Sequence, residues 1–400
     1  MHSRTEEPLA REPEQRSRLA PGIVRLGWIS FLLDVASEMV YPLIPIFVGT
    51  LLAAPGLALG AIEGAAEGLL SVVTALSGWH SDRMRRRVPY IRLGYALAAV
   101  AKPLLALAYA WPAVLALRSL DRLGKGLRTA ARDALIGDLA GARRGAAFGF
   151  HRAMDTAGAL TGVLLALLLL SLLPGEYRTI FALTAVPGAA AVVLTLTIRE
   201  APRVSSPPTS EGGGAGIGRL PRAFWSAASL LWLFALGNSS DAFLLLRASE
   251  LGFSDLGVVW AYAAYNLVYS CASYPAGRAS DRFGRRRVLA IGWTLYALTY
   301  AGFALAGGAA LWWLFPLYGL HMGLTQGVAR AWIVDGAPSD ARGTALGVYH
   351  LGLGAALFSS SLFAGWLWDT FGARSSFAFG SAVAVLALLA LLATGRDSSR

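Results

Sequence analysis

Apolar residues fall in long unbroken runs, separated by short polar connections rich in arginine. A membrane-spanning helix needs about 20 mostly apolar residues. Twelve stretches meet that length, at 23–49, 55–77, 89–110, 112–137, 146–172, 177–198, 223–246, 255–277, 287–306, 310–334, 343–367 and 371–394. They are continuous Leu- and Ala-rich runs and not the ten-residue alternations of a transmembrane barrel. The pattern therefore predicts an all-α membrane protein. The one long internal connection, 199–222, contains Ser205-Ser206-Pro207-Pro208 and Gly212-Gly213-Gly214. Such a segment packs no core and reads as a flexible linker. It divides the chain into six-span halves at 23–198 and 223–394, with polar tails at 1–22 and 395–400.

The two halves repeat each other. Gly78-x-x-Ser81-Asp82-Arg83 recurs as Gly277-x-x-Ser280-Asp281-Arg282, and Ser37-Glu38 has a counterpart in Ser240-Asp241. Asp138 followed by Arg144-Gly145 recurs as Asp335 followed by Arg342-Gly343. Internal repeats in a helical membrane protein are the mark of secondary transporters, whose solute path lies between the repeats. Loop charges set the orientation. Arg83, Arg85, Arg86, Arg87, Arg143, Arg144, Arg199, Arg203, Arg219, Arg222, Arg278, Arg282, Arg285, Arg286, Arg287 and Arg342 lie on one side, and only Arg178, Arg247 and Arg374 on the other. The positive-inside rule then predicts that both termini are cytoplasmic.

Composition narrows the class. Of 400 residues, 56% are hydrophobic and 15% charged, against about 25% charged in soluble domains. That is too little charge to coat two or three soluble domains, so a soluble enzyme is excluded. The net charge of +11 sits in the loops between apolar runs, which favours a bilayer over nucleic acid as its partner. The first 22 residues mix arginine with glutamate around no apolar core, so they read as neither a secretory signal nor a transit peptide. Cys271 is the single cysteine. No G-x-x-x-x-G-K-[ST] loop is present to hold a nucleotide, and no paired His or Cys spacing suggests a metal. No cofactor is expected.

The loop motifs resemble those of the major facilitator superfamily. Its G-x-x-x-D-R-x-G-R-R signature is matched by Gly78 to Arg87, with Arg85 at the glycine position, and fully by Gly277 to Arg286. Arg122-x-x-x-Gly126 is similar to the superfamily's span-four arginine motif. The run from Asp121 to Arg128, then Arg132-Asp133-Ala134-Leu135-Ile136, resembles a poorly characterised prokaryotic branch. Gly158-x-x-x-Gly162 lacks the Gly-Pro of the drug-antiporter signature. The resemblance implies two six-helix bundles, alternating access and no nucleotide hydrolysis.

Charges inside the apolar runs carry the functional expectation, since each costs several kcal/mol unless paired or wet. Span 1 has Asp34 and Glu38, and span 2 has Glu63 and Glu67. Span 4 has Arg118, Asp121, Arg122, Lys125, Arg128, Arg132 and Asp133. At about 100° per residue all seven fall on one arc of roughly 140°, so span 4 turns one polar face inward. Depth counting at 1.5 Å per residue puts Asp34, Glu67 and Arg122 near the midplane and Glu38, Glu63 and Arg118 nearer the outer edge. Asp34 and Arg122 are then expected as neighbours, with Asp34 the first candidate for the protonation site and Glu38 or Glu67 the next. Arg132, Asp133, His151, Arg152 and Asp155 form a third layer, read as a cytoplasmic gate together with Gly78, Asp82, Arg83, Gly277, Asp281 and Arg282. The second half offers hydrogen bonds and aromatic surface: Asn238, Asp241, Tyr262, Tyr265, Asn266, Gln326 and Arg330 are its candidate path residues. His321 and His350 read as hydrogen-bonded structural residues.

These features predict a monomeric, multi-pass transporter of the inner or plasma membrane. It would move a small polar or charged organic solute with protons as the coupling ion. A drug-efflux antiporter is the alternative, and a lipid-handling or non-transporting membrane protein a further one.

Overall fold

The computed structural model describes residues 19–84, 86–140, 144–200, 220–305, 307–338 and 341–394. They form an array of helices: α1 (Pro21–Val40), α2 (Ile44–Ile46), α3 (Gly56–Met84), α4 (Val88–Leu104), α5 (Trp111–Ala140), α6 (Arg144–Leu172), α7 (Tyr177–Leu183), α8 (Ala185–Thr195), α9 (Arg222–Ala235), α10 (Ala242–Glu250), α11 (Asp255–Phe283), α12 (Arg285–Leu305), α13 (Leu311–Asp335), α14 (Arg342–Phe371) and α15 (Ala373–Ala393). Among the described residues, eight helical stretches are long and apolar enough to cross a membrane. Of the four other expected spans, α5, α9–α10, α11 and α13, two fall short for a local reason: α5 is long enough but carries the row of charges from Arg118 to Asp133, and the α9–α10 stretch is broken.

Three expected single spans are interrupted. The first runs as α1, a 3-10 turn at Tyr41–Leu43, α2, and a π turn at Phe47–Leu51. Pro42 and Pro45 lack the N–H that the i−4 carbonyls need, so the regular ladder cannot continue through them. The stretch 177–198 is interrupted at Thr184, between α7 and α8. Pro187 cannot bond back to Leu183, and Thr184 Oγ1 instead donates to the Phe181 carbonyl at 2.6 Å. The stretch 223–246 unwinds between α9 and α10. There Gly237-Asn238-Ser239-Ser240 combines a poor helix former with side chains that compete for backbone hydrogen bonds. Tyr296 replaces part of the lost bonding by donating to the Gly237 carbonyl at 2.8 Å.

The helices pack in two sets. In the first, α1 lies on α6, and α5 lies between α3 and α4; in the second, α11 lies on α13 and α12 on α15. Small residues permit the close approach that membrane helices use in place of a hydrophobic drive. A Cβ on Gly124 of α5 would sit 2.6 Å from the Gly94 carbonyl oxygen of α4.

Across the sets, α3 packs on α14 and α6 on α11. The α3–α14 contact is a backbone zipper: a Cβ on Gly60 would lie 2.3 Å from the Ser361 carbonyl oxygen. It runs from Gly56 and Gly365 to Ser71 and Gly354, while a Cβ on Gly343 or Gly347 would meet nothing within 4 Å. Close packing is thus confined to the side away from the chain ends. On that side Asp369 accepts from the Gly56 and Leu57 amides at 2.6 and 2.7 Å. Trp368 Nε1 donates to Glu250 at 3.1 Å, and Tyr177 bonds to Asp255. The molecule is closed at this far face.

Candidate functional site

The charged face of α5 turns into the protein. Arg118 donates to Glu63 of α3 from Nη2 at 2.8 Å and Nε at 3.2 Å, and lies 3.7 Å from Asp121. Lys102 of α4 donates to Asp121 at 2.6 Å. These four residues form one buried network in which each charge has an opposite partner, as a low-dielectric interior demands. The Arg118 guanidinium also lies 5.5 Å from the centre of the Tyr41 ring. The other Glu63 oxygen accepts from Ser240 of the unwound segment at 3.3 Å, which ties the network to the second helix set.

One turn closer to the chain ends, Arg122 approaches Glu67 at 4.0 Å, and its Nε is buried with no partner among the described residues. The expected pairing of Asp34 with Arg122 is not formed. The charges acting on Asp34 come instead from Lys125, Arg128, Arg132 and Asp155. Depth counting assumed parallel, equally deep helices. Glu38 likewise meets Tyr262 rather than Arg118: the Tyr262 hydroxyl donates to it at 2.9 Å across the two sets.

Between these groups lies a cavity of about 200 Å³. Asp34, Glu38, Arg122 and Lys125 wall one side, and Asp241 and Tyr262 the other. Asp241 stands at the start of α10 and accepts from Tyr265 at 2.9 Å and Tyr318 at 2.6 Å. Behind these rings Tyr296 and Tyr300 stack at 4.0 Å. The unwinding before α10 is what lets Asp241 reach this tyrosine shell.

The other second-half candidates separate. Asn238, Gln326 and Arg330 line a smaller cavity of about 100 Å³, with His321, Trp293 and Tyr349. Asn238 Oδ1 is buried there without a partner among the described residues. Asn266 lines neither cavity and donates to the Tyr262 carbonyl at 3.0 Å, a helix-internal bond. His321 bonds the Gly292 carbonyl at 2.8 Å, in keeping with a structural role.

Near the chain ends, Arg132 pairs with its own neighbour Asp133 at 2.9 Å and donates to Ser30 at 3.3 Å. His151 faces Asp155 at 3.4 Å. Arg152 departs from this layer: its side chain is exposed. The side chain of Asp82 lies outside the described residues. Arg83 is exposed, 5.7 Å from the Trp79 ring centre, and Gly78 faces Ala130 of α5. In the second copy the bridging cation is Arg285, not Arg282. Arg285 joins Asp281 at 2.5 Å and Asp335 at 3.0 Å, linking α11, α12 and α13. Arg282 instead lies over Phe283, and Gly277 faces open space. These bridges join helices of one set and do not cross between sets.

Sequence reasoning missed Lys102, Tyr41 and Tyr318. Lys102 was findable, being one of two lysines in the chain and the only charge deep in the third apolar run. The two tyrosines carry no signal in a chain so rich in apolar aromatics.

Comparison with known proteins agrees with this architecture. The family model of the Major Facilitator Superfamily matches residues 26–246 and 241–400. A relative from Methanocaldococcus jannaschii, described as an uncharacterised MFS-type transporter, is 33% identical over 97% of this chain and 98% of its own. A puromycin resistance protein of Streptomyces alboniger is 30% identical over 49% of this chain and 40% of its own. Among solved structures, a mutant of the nucleoside transporter NupG superposes with a TM-score of 0.79 at 14% identity, over 94% of this chain and all (100%) of that one. With its repeated loop motifs, its two helix sets and a polar cavity between them, this chain belongs to the Major Facilitator Superfamily of membrane transporters.

Proposed function

We propose that the protein is a proton-coupled secondary transporter of a small polar or charged organic solute, working by alternating access in the inner or plasma membrane. The observation that carries this is the cavity of about 200 Å³. Charged side chains of α1, α4 and α5 face Asp241 and Tyr262 across it, beneath a closed far face. A polar chamber of this kind between two internally packed helix sets is where such carriers hold their solute. In this reading the chain crosses the bilayer twelve times. Residues 23–198 and 223–394 are the moving bundles, 199–222 the linker, 1–22 and 395–400 cytoplasmic tails, and the monomer the working unit. The closed far face is then extracellular, and the structure is the inward-facing form.

Glu38 is the carboxylate best suited to carry the proton. Glu63 and Asp121 are held by Arg118 and Lys102, and neutralising either would strand a buried cation. Glu38 is held by a tyrosine hydroxyl alone, so it can take a proton and strand nothing. Its bond to Tyr262 also spans the two sets, which makes protonation sensitive to their separation. The sequence-based expectation placed this role on Asp34, and both are testable in the same assay. In proteoliposomes with an imposed pH gradient, Glu38→Gln should keep solute exchange and lose uphill accumulation. Retained pH-driven accumulation in Glu38→Gln, lost in Asp34→Asn, would return the role to Asp34.

The puromycin-resistance relative favours a second reading, drug efflux. Export of puromycin by the reconstituted protein, competitive with no small polar solute, would establish it.

A further inference from the structure

The cavity's charges are not all spoken for. Of its carboxylates, Asp121 is held by Lys102, Asp241 by two tyrosines and Glu38 by one. Of its cations, Lys102 and Arg118 are paired, Arg122 has Glu67 at 4.0 Å, and Arg128 lies 4.4 Å from the centre of the Tyr95 ring. Asp34 and Lys125 both line the cavity, and among the described residues neither has a hydrogen-bonded or ion-paired partner. They act on each other electrostatically, from neighbouring helices, without closing into a pair.

We propose that the solute is a zwitterion, its anionic end on Lys125 and its cationic end on Asp34. This rests on the transporter reading above and names its substrate class. Charge balance carries it. A solute bearing only an anion would satisfy Lys125 and leave Asp34 facing a space that has just lost its water. A solute bearing only a cation would do the reverse. A stranded charge in a low-dielectric site is strongly penalised, so either monopolar solute binds against that penalty. A zwitterion satisfies both groups and leaves the net charge of the chamber unchanged as the carrier turns over. The Tyr262 ring on the opposite wall and the Tyr41 ring beside Arg118 give the aliphatic part of such a solute an apolar surface.

The test uses the purified full chain and matched probes: ω-amino acids of three to six carbons, with the simple carboxylic acid and simple amine of each length. Binding is read by thermal stabilisation, since a ligand of the native state raises the apparent melting temperature. The expected result is that at least one amino acid binds tenfold or more tightly than both of its monopolar analogues. Asp34→Asn should weaken that amino acid about tenfold and erase its advantage over the acid. Lys125→Gln should erase its advantage over the amine, and Lys125→Arg should restore it. The ligand-free melting temperature of each variant, measured beside that of the parent, separates a loss of fold from a loss of binding. An acid or amine that binds as well as its amino acid overturns the proposal. So does silence across every amino acid in the series, or binding indifferent to both substitutions. A zwitterion that binds but is not carried into proteoliposomes upholds the assignment and refutes transport. A monopolar solute that is carried does the opposite.

Discussion

Gly60→Ala is the substitution that most directly tests whether the far face opens. A Cβ at this position would lie 2.3 Å from the Ser361 carbonyl oxygen and 3.1 Å from its carbon. An ordinary carbon–oxygen contact is about 3.3 Å or more. The backbones of α3 and α14 must therefore separate by about 1 Å to admit one methyl group. Small-to-large substitutions at such packed sites cost typically about 1–3 kcal/mol. In the alternating-access reading that cost falls only on the form closed at the far face, because the open form has no contact here. A bias of about 1–3 kcal/mol shifts a two-state equilibrium about 5- to 150-fold. Spin labels on Leu57 and Phe371, both exposed at the far ends of α3 and α14, would report it as a gain in long distances by pulsed electron resonance. Gly137→Ala is the control, since a Cβ there meets nothing within 4 Å. An unchanged distance distribution in Gly60→Ala would show that the zipper yields without opening the face, and would refute the reasoning.

Three further outcomes follow from the same geometry. Arg118→Ala leaves Glu63 buried without its cation and should cost about 3–5 kcal/mol; adding Glu63→Ala should recover much of the melting temperature, and an additive loss would show that the two do not interact. Asp369→Ala removes the bonds to the Gly56 and Leu57 amides. At about 0.5–2 kcal/mol for a lost helix cap, it should raise far-face labelling of a cysteine at position 57, and unchanged labelling would contradict the capping role. Cysteines placed at positions 20 and 394, in a chain with Cys271 replaced, should both be protected from an impermeant reagent added outside intact cells; labelling at either end would overturn the proposed orientation.

The helices and the charged face of α5 were legible in the order of residues because both depend on neighbours along the chain. A run of about 20 apolar residues has one low-energy form in a bilayer, and charges spaced from Arg118 to Asp133 share a face at any tertiary packing. The weak points were legible in kind as well. Pro42, Pro45 and the Gly237-Asn238-Ser239-Ser240 segment are poor helix formers, and the backbone breaks at them.

Which charges meet was decided only in three dimensions. Depth counting put Glu63 at the level of Arg118, and the two do pair, because α3 and α5 run side by side. It did not find the partners of Asp34 and Glu38, because a difference in level of one turn, about 5.4 Å, exceeds the reach of an ion pair and counting along the chain does not resolve it. The tyrosine shell of Asp241 draws Tyr265 from α11 and Tyr318 from α13 onto a residue of a broken helix. No spacing in the chain encodes that meeting. Local order along the chain sets where each helix lies and which face is polar. The relative height and rotation of packed helices depend on kinks, small residues and close backbone contacts, and these select which partner each buried charge finds.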